Sequence, residues 1–372
     1  MSRPPRVLIL NERDPRHPRA GGAEVHVQEI FSRLARRGWS VTLTPCAFPG
    51  AAPDETLAGI RVRRLGTLPS YYLRAAWSCA RATRRGDFDV VVECLNKLPF
   101  YAPLYSAAPV VAIGHHLFGE TAFEQVPWPV AAAVWILERP LPLAYRRVRC
   151  VAISESTRDD LVRRGLRAER IRVSHCGVDP PRVAIPPIAG RGPRIAALGR
   201  LEPYKRIDLA LRVLARLAPR FPDCELWVIG RGGDRERLER LARELGVAER
   251  TRFTGFVSRD ERDRLLAGCR ASLCPSPKEG WGLTVIESNA VGTPVVATDA
   301  PGLRDSVADG KTGFLVREGD VEGFAERVGA LLADDALASG LSSAALAWAR
   351  RFDWDRAADD MAEVLEAPRA GR

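Results

Sequence analysis

Apolar positions along the chain fall into two periods. Residues 6–10 form a short continuous apolar run, as a buried strand does, and a loop carrying Gly21 and Gly22 follows. From 23 to 37 the period becomes helical, with Val27, Ile30, Phe31 and Leu34 recurring at three- and four-residue steps. Gly38 stops that helix and the next strand opens at 41–43. The strand–helix–strand rhythm then continues, with short strands expected at 60–63, 89–92, 110–114, 151–154 and 171–174 and a helix over 155–164.

Residues 177–192 interrupt the rhythm with Pro180-Pro181 and Pro186-Pro187 and read as a linker. A second series follows, with strands at 194–198, 225–229, 251–254, 271–274 and 294–297 and helices between them. Such alternation predicts an α/β protein with two Rossmann-like domains, each a parallel sheet with helices on both faces. Ligands would then bind at the carboxyl ends of the strands, facing a central cleft. The domain limits expected are 1–180 and 181–351. A last amphipathic segment within 352–372 aligns Trp354, Ala358, Met361 and Leu365 on one helical face, and no strand follows it. With 372 residues, 46% of them hydrophobic, the chain has material for two cores.

Composition narrows the function. The apolar stretch near 130–137 is cut by Glu138, Arg139 and Pro140, short of a membrane span, and no secretory signal is visible at the start. The eight cysteines contain no Cys-x-x-Cys, which fits reduced thiols in a cytoplasmic protein. Net charge is +10, and only four of the 56 basic residues are lysine. That balance favours anionic small molecules or a membrane surface. It does not point to nucleic acid, because the basic residues are dispersed and no recognition motif accompanies them. The segment 127–149 mixes Trp128 and Trp135 with Arg139, Arg146, Arg147 and Arg149; it reads as a half-buried helix beside an acceptor site, or as a peripheral contact with the inner face of a membrane.

Two motifs carry the chemistry. In the run from Pro277 to Glu287, Glu279 and Glu287 are separated by seven residues, with Gly280 and Gly282 between them. The glycines let the backbone come close to a ligand, and a helix beginning near Thr284 would turn its free N–H groups toward a phosphate. Glu279 in the loop can reach sugar hydroxyls, and Glu287 on the helix can accept from a ribose diol. The second motif is Gly199-Arg200-Leu201-Glu202-Pro203-Tyr204-Lys205, at the carboxyl end of the first strand of the second series. Arg200 and Lys205 beside a diphosphate would neutralise charge on a leaving group.

These motifs resemble those of the family-4 retaining glycosyltransferases, which have the GT-B fold. Glu279 and Glu287 match its E-x7-E element, and Gly199, Arg200 and Lys205 match its G-R-x-x-x-x-K element. Val291-Gly292-Thr293-Pro294-Val295-Val296-Ala297, the run from Gly310 to Val316 and Gly21-Gly22-Ala23-Glu24 resemble further landmarks, so the likeness spans nearly the whole chain. The resemblance implies transfer of a hexose-type sugar from a nucleoside-diphosphate donor, a UDP- or GDP-sugar, to a hydroxyl acceptor that is a small molecule or a lipid-linked glycan. It implies that Gly22 backs the donor, that Trp281, Gly282, Leu283 and Thr284 contact sugar and diphosphate through their backbone, and that Phe256 and Val257 border the nucleobase. A histidine after the strand 110–114 would lie beside the transferred sugar; His115 aligns best and His116 is the one-residue alternative. His26 has a weaker claim, near the glycine loop. The final helix would cross back onto the N-terminal domain.

No metal or other cofactor is expected. The Asp-x-Asp pairs Asp87/Asp89 and Asp353/Asp355 abut a strand start and a helix start, where aspartate is favoured for local reasons. Gly230-Arg231-Gly232-Gly233 has Arg235 where a dinucleotide fingerprint needs its third glycine. Rival readings are a nucleotide-sugar epimerase or a sugar phosphorylase on the same fold, and a non-catalytic nucleotide-sugar-binding subunit.

Overall fold

The structure, a computed structural model, describes residues 3–96, 98–115, 117 and 128–367. The chain forms two units, Met1–Gly177 with Trp354–Arg372, and Val178–Asp353.

The first unit begins β1 (Arg6–Leu10), α1 (Gly22–Arg36), β2 (Ser40–Thr44), β3 (Asp54–Leu57), β4 (Ile60–Arg63), α2 (Leu68–Arg84) and β5 (Val90–Leu95). It continues through β6 (Val110–Gly114), α3 (Trp128–Glu138), α4 (Leu141–Ala144), β7 (Arg149–Ala152), α5 (Glu155–Arg163) and β8 (Ile171–Val173). The sheet order is β3-β4-β2-β1-β5-β6-β7-β8. The central strands are the continuous apolar runs: every residue of β5 is buried, because helices cover both faces of a parallel sheet. Among the described residues of this sheet the one antiparallel pair is β3 with β4, closed by Ala58 and Gly59 at φ 49° and 84°. Two central residues with positive φ match the twist that a two-residue hairpin needs. The sequence reading placed β4 but neither β3 nor α2.

The second unit runs β9 (Arg194–Leu198), α6 (Ile207–Leu217), β10 (Glu225–Ile229), α7 (Arg235–Glu244), β11 (Thr251–Gly255), α8 (Arg259–Ala267) and β12 (Ala271–Cys274). Then come α9 (Leu283–Ala290), β13 (Val295–Thr298), α10 (Leu303–Ser306), β14 (Gly313–Val316), α11 (Val321–Ala333) and α12 (Asp335–Ala349). All six strands are parallel, in the order β11-β10-β9-β12-β13-β14. Leu211 and Leu214 of α6 and Phe324 and Val328 of α11 join Leu226 and Val228 of β10 in the main core. The Pro-rich segment 177–192 is tied down at its end: the buried Arg191 guanidinium donates to the carbonyls of Cys269 and Val291 and to Thr293 Oγ1.

The last helix, α13 (Trp354–Glu366), belongs to the first unit and packs against α1. Arg33 Nε donates to Asp355 Oδ1 at 3.1 Å, and Ser174 Oγ to Asp360 Oδ2 at 3.0 Å. Among the described residues no single helix is long and apolar enough to cross a membrane.

Candidate active site

In the second unit, the loops that leave β9 and β12 bring the two sequence motifs together. These strands are neighbours in the sheet, so their carboxyl ends lie side by side. After β9, Gly199 turns at φ 153° and Pro203–Lys205 makes a short 3₁₀ turn. This loop is held from beneath by the one following β10: Leu201 N donates to Arg231 O at 3.0 Å and Asp234 N to Leu201 O at 3.0 Å. The approach explains Gly230 and Gly232, since a Cβ on Gly230 would stand 1.9 Å from Gly199 O and one on Gly232 2.1 Å from Leu201 O. They serve backbone packing beneath Arg200, not a dinucleotide fingerprint.

Lys205 Nζ donates to Glu279 Oε1 at 2.5 Å, and each side chain keeps only 16% of its surface. Burial opposes the ammonium charge, but the facing Glu279 carboxylate outweighs it and raises the Lys205 pKa above the usual lysine value. Lys205 is therefore a fixed cation at neutral pH. Arg200 donates to the Tyr204 hydroxyl, and Lys205 Nζ lies 5.4 Å from the centre of the same ring. Tyr204 thus gathers both cations; the sequence reading gave it no role, although it lies inside the motif.

The loop carrying Glu279 is as constrained. Glu279 N donates to Pro301 O at 3.2 Å, and a Cβ on Gly302 would fall 2.2 Å from Glu279 O. Trp281 is 2% exposed and packs edge-on against Phe352, ring centres 4.9 Å apart. Gly282 adopts the left-handed conformation, φ 90° and ψ 54°, that starts α9. Leu283 and Thr284 then stand in the first turn, where N–H groups precede the intrahelical ladder. Glu287, one turn further, pairs with Arg262 of α8, which also holds Asp263 Oδ1. Burial raises the Glu287 pKa above the ordinary carboxylate value, and Arg262 only partly offsets it. Nothing in the sequence marked Arg262, which reaches Glu287 from another helix. At the end of β11, Phe256 is 76% exposed with the Arg231 guanidinium 5.0 Å from its ring centre, while Val257 packs inward on the Leu265–Leu266 cluster.

In the first unit, Gly22 opens α1, and Gly21 N donates to Glu24 Oε2 at 2.7 Å. His115 follows β6 directly and is 3% exposed. Its Nε2 lies 3.0 Å from Nδ1 of His26 on α1, and the rings meet edge to face. His116 lies outside the described residues. The Asp-x-Asp pairs are engaged elsewhere: Asp89 holds Arg3 and Arg6, and Asp355 holds Arg33. Among the described residues no three His, Cys, Asp or Glu side chains are grouped so as to hold a metal ion.

The family model for Glycosyltransferase Family 4 matches residues 20–182, and that for Glycosyl transferases group 1 matches 183–348. A GDP-mannose-dependent alpha-(1-6)-phosphatidylinositol monomannoside mannosyltransferase of Mycolicibacterium smegmatis is 35% identical over 98% of this chain and 99% of its own. The chain belongs to glycosyltransferase family 4. A D-inositol 3-phosphate glycosyltransferase of Streptomyces bingchenggensis is 30% identical over 100% of this chain and 91% of that one. Among solved structures, the sucrose-phosphate synthase of Thermosynechococcus elongatus superposes with a TM-score of 0.82 at 20% identity, covering 99% of this chain and all of that one. The Anabaena protein HepE, solved with UDP and glucose, gives 0.78 at 20% identity over 97% and 99% of the two chains. The fold of this glycosyltransferase is GT-B.

Proposed function

We propose that this glycosyltransferase moves a hexose from a UDP- or GDP-sugar to a hydroxyl acceptor with retention at the anomeric carbon and without a divalent metal. The supporting observation is the Lys205–Glu279 pair, three residues ahead of the left-handed Gly282 that opens α9. A diphosphate seated there meets Lys205, Arg200 and the first-turn N–H groups of Leu283 and Thr284, while Glu279 accepts from sugar hydroxyls. Glu287 accepts from the ribose, and the exposed face of Phe256, flanked by Val257, meets the base. Gly22 and His115 in the first unit serve the sugar side. Donor chemistry in the relatives supports this choice: one is named as GDP-mannose-dependent, and HepE is solved with UDP.

Retention through a covalent intermediate requires a carboxylate free to attack the anomeric carbon. Here Glu279 is engaged by Lys205 and Glu287 by Arg262. A front-face route fits better. The bond from the anomeric carbon to the phosphate oxygen breaks and the diphosphate takes the electron pair. The acceptor oxygen bonds to the same face, and its proton passes to the departing phosphate. Proton NMR of the product tests this, because an inverted anomer rules it out. A thermal-shift series with UDP- and GDP-sugars identifies the donor.

The acceptor side supports a second inference, a peripheral contact with an anionic membrane that presents a lipid-linked acceptor. Trp128, Ile136, Leu137 and Leu143 are exposed, close in sequence to Arg139, Arg146 and Arg147. Cosedimentation with anionic but not neutral vesicles tests it.

A further inference from the structure

An open cavity of about 540 Å³ in the first unit is lined by Arg146, Arg147, Arg149 and Arg170. That volume lies within the range of small-molecule sites. Val110, also in the lining, and Arg149 are the first residues of β6 and β7, and Arg170 directly precedes β8. The cavity therefore sits at the amino ends of these strands. His115 follows the carboxyl end of β6, so the length of that strand, at ~3.3 Å per residue, sets it roughly 16 Å from Val110. The cavity is not part of the transfer site. Arginines on either side of Arg170 in the chain are paired, Arg167 with Glu169 and Arg172 with Asp360 and Glu363. Among the described residues none of the four in the cavity has a carboxylate partner. Arg170 Nη1 donates to Arg147 O at 3.1 Å, which fixes one guanidinium and leaves its other N–H groups for a ligand.

We propose that this cavity binds a phosphomonoester. A cleft lined by one sign of charge concentrates counter-ions. Each guanidinium is a planar fork that meets two oxygens at once. A carboxylate offers two oxygens and one charge, enough for one fork. A phosphomonoester offers three oxygens and a charge of about −1.5 to −2 at pH 7, enough to engage several. Leu143, in the same lining, is 82% exposed and gives the mouth an apolar lip. A phosphate carried on a small soluble molecule and the head of a phosphatidic acid both offer this chemistry. The membrane contact proposed above draws on Leu143, Arg146 and Arg147, but phosphate binding in the cavity does not depend on it.

The probes are glycerol 3-phosphate in solution, followed by calorimetry, and phosphatidylcholine vesicles carrying phosphatidic acid or phosphatidylglycerol at matched surface charge, followed by cosedimentation. Binding of glycerol 3-phosphate identifies a soluble ligand. A preference for phosphatidic acid over phosphatidylglycerol without it identifies a lipid head. In both cases Arg149→Gln with Arg170→Gln should weaken binding by roughly tenfold or more per arginine removed. Neither side chain holds an ion pair, so circular dichroism should not change; if it does, Arg146→Gln with Arg147→Gln, at exposed positions, makes the same test. Arg212→Gln with Arg240→Gln removes the same charge from exposed positions on α6 and α7, and should bind the probe as the wild type does. Lys205→Ala should also bind it, because the donor site is elsewhere. No binding of either probe overturns the proposal, and so does equal weakening in the Arg212 and Arg240 control or loss of binding in Lys205→Ala. Equal retention on both charged vesicles, unchanged in the cavity variants and without glycerol 3-phosphate binding, removes the cavity and leaves the membrane contact standing.

Discussion

Lys205 and Glu279 stand 74 residues apart in the chain and share one hydrogen bond in the second unit. The pair keeps a cation and a carboxylate in place before any donor arrives. Removing one preorganised donor of this kind costs roughly 10²–10³ in turnover, so Lys205→Ala should lose on that order with its circular dichroism unchanged. Glu279→Ala should lower turnover strongly as well, and because the two are coupled, the double variant should lose less than the product of the single losses. Simple multiplication of the losses would show that the residues act separately.

Glu287→Ala should act on binding instead. Loss of a hydrogen bond to a charged group costs about 1.5–3 kcal/mol, which should appear in the donor dissociation constant while kcat changes little. The substitution leaves Arg262 its bond to Asp263, so it does not strand a buried cation. Calorimetric titration with the donor measures this; equal kinetic defects in Glu279→Ala and Glu287→Ala would erase the division of roles.

The motifs were readable in the sequence, but their meeting was not. Lys205 follows β9 and Glu279 follows β12, and they come together because the sheet sets those strands side by side, skipping β10 and β11. Local periodicity encodes a strand, not its neighbour. The central strands were legible because both their faces are buried. The β3–β4 hairpin was not, since Leu57 is the only apolar residue of β3 and its turn sets an alanine, Ala58, at φ 49°. Arg262 illustrates the same limit at the site: one arginine among many, picked out only by the packing of α8 against α9.

Phe256 should be a binding residue with no structural duty. It is 76% exposed, so Phe256→Ala should leave thermal stability within about 0.5 kcal/mol, as exposed substitutions do. Base–aromatic stacking is worth about 1–3 kcal/mol on alanine substitution, and that should appear as a raised donor KM. A stability loss without a change in KM would assign Phe256 to the fold.

Acid should destabilise the first unit through His26. Its folded pKa is about 4 against an ordinary 6.5, so the unfolded chain takes up the proton first. Stability from this group is complete above pH 6.5 and drains as pH falls toward 4, by about 3 kcal/mol at about 1.4 kcal/mol per unit. Urea titrations across that range should show a shallower slope in His26→Leu than in the wild type. Identical slopes would mean that His26 is protonated in the folded protein.

Transfer should need no divalent metal. As the glycosidic bond breaks, the nucleoside diphosphate gains negative charge, and something positive must meet it. Many transferases use a cation held by an Asp-x-Asp pair, but here Asp89 is taken by Arg3 and Arg6 and Asp355 by Arg33. Arg200 offers a planar fork suited to phosphate oxygens, and Lys205 a compact point charge. Glu279 keeps that ammonium charged, and the start of α9 adds a partial positive charge through its N–H groups. These groups are held by the loop packing beneath them, so they should not need a metal to order them. Activity measured after dialysis against excess EDTA should equal that of the untreated enzyme, and added magnesium or manganese should not raise it. Arg200→Ala should lose roughly 10²–10³ in turnover, as expected for one lost preorganised donor, and magnesium should not restore it. Activity abolished by EDTA and recovered with magnesium or manganese would overturn the proposal and return attention to Asp87 and Asp89.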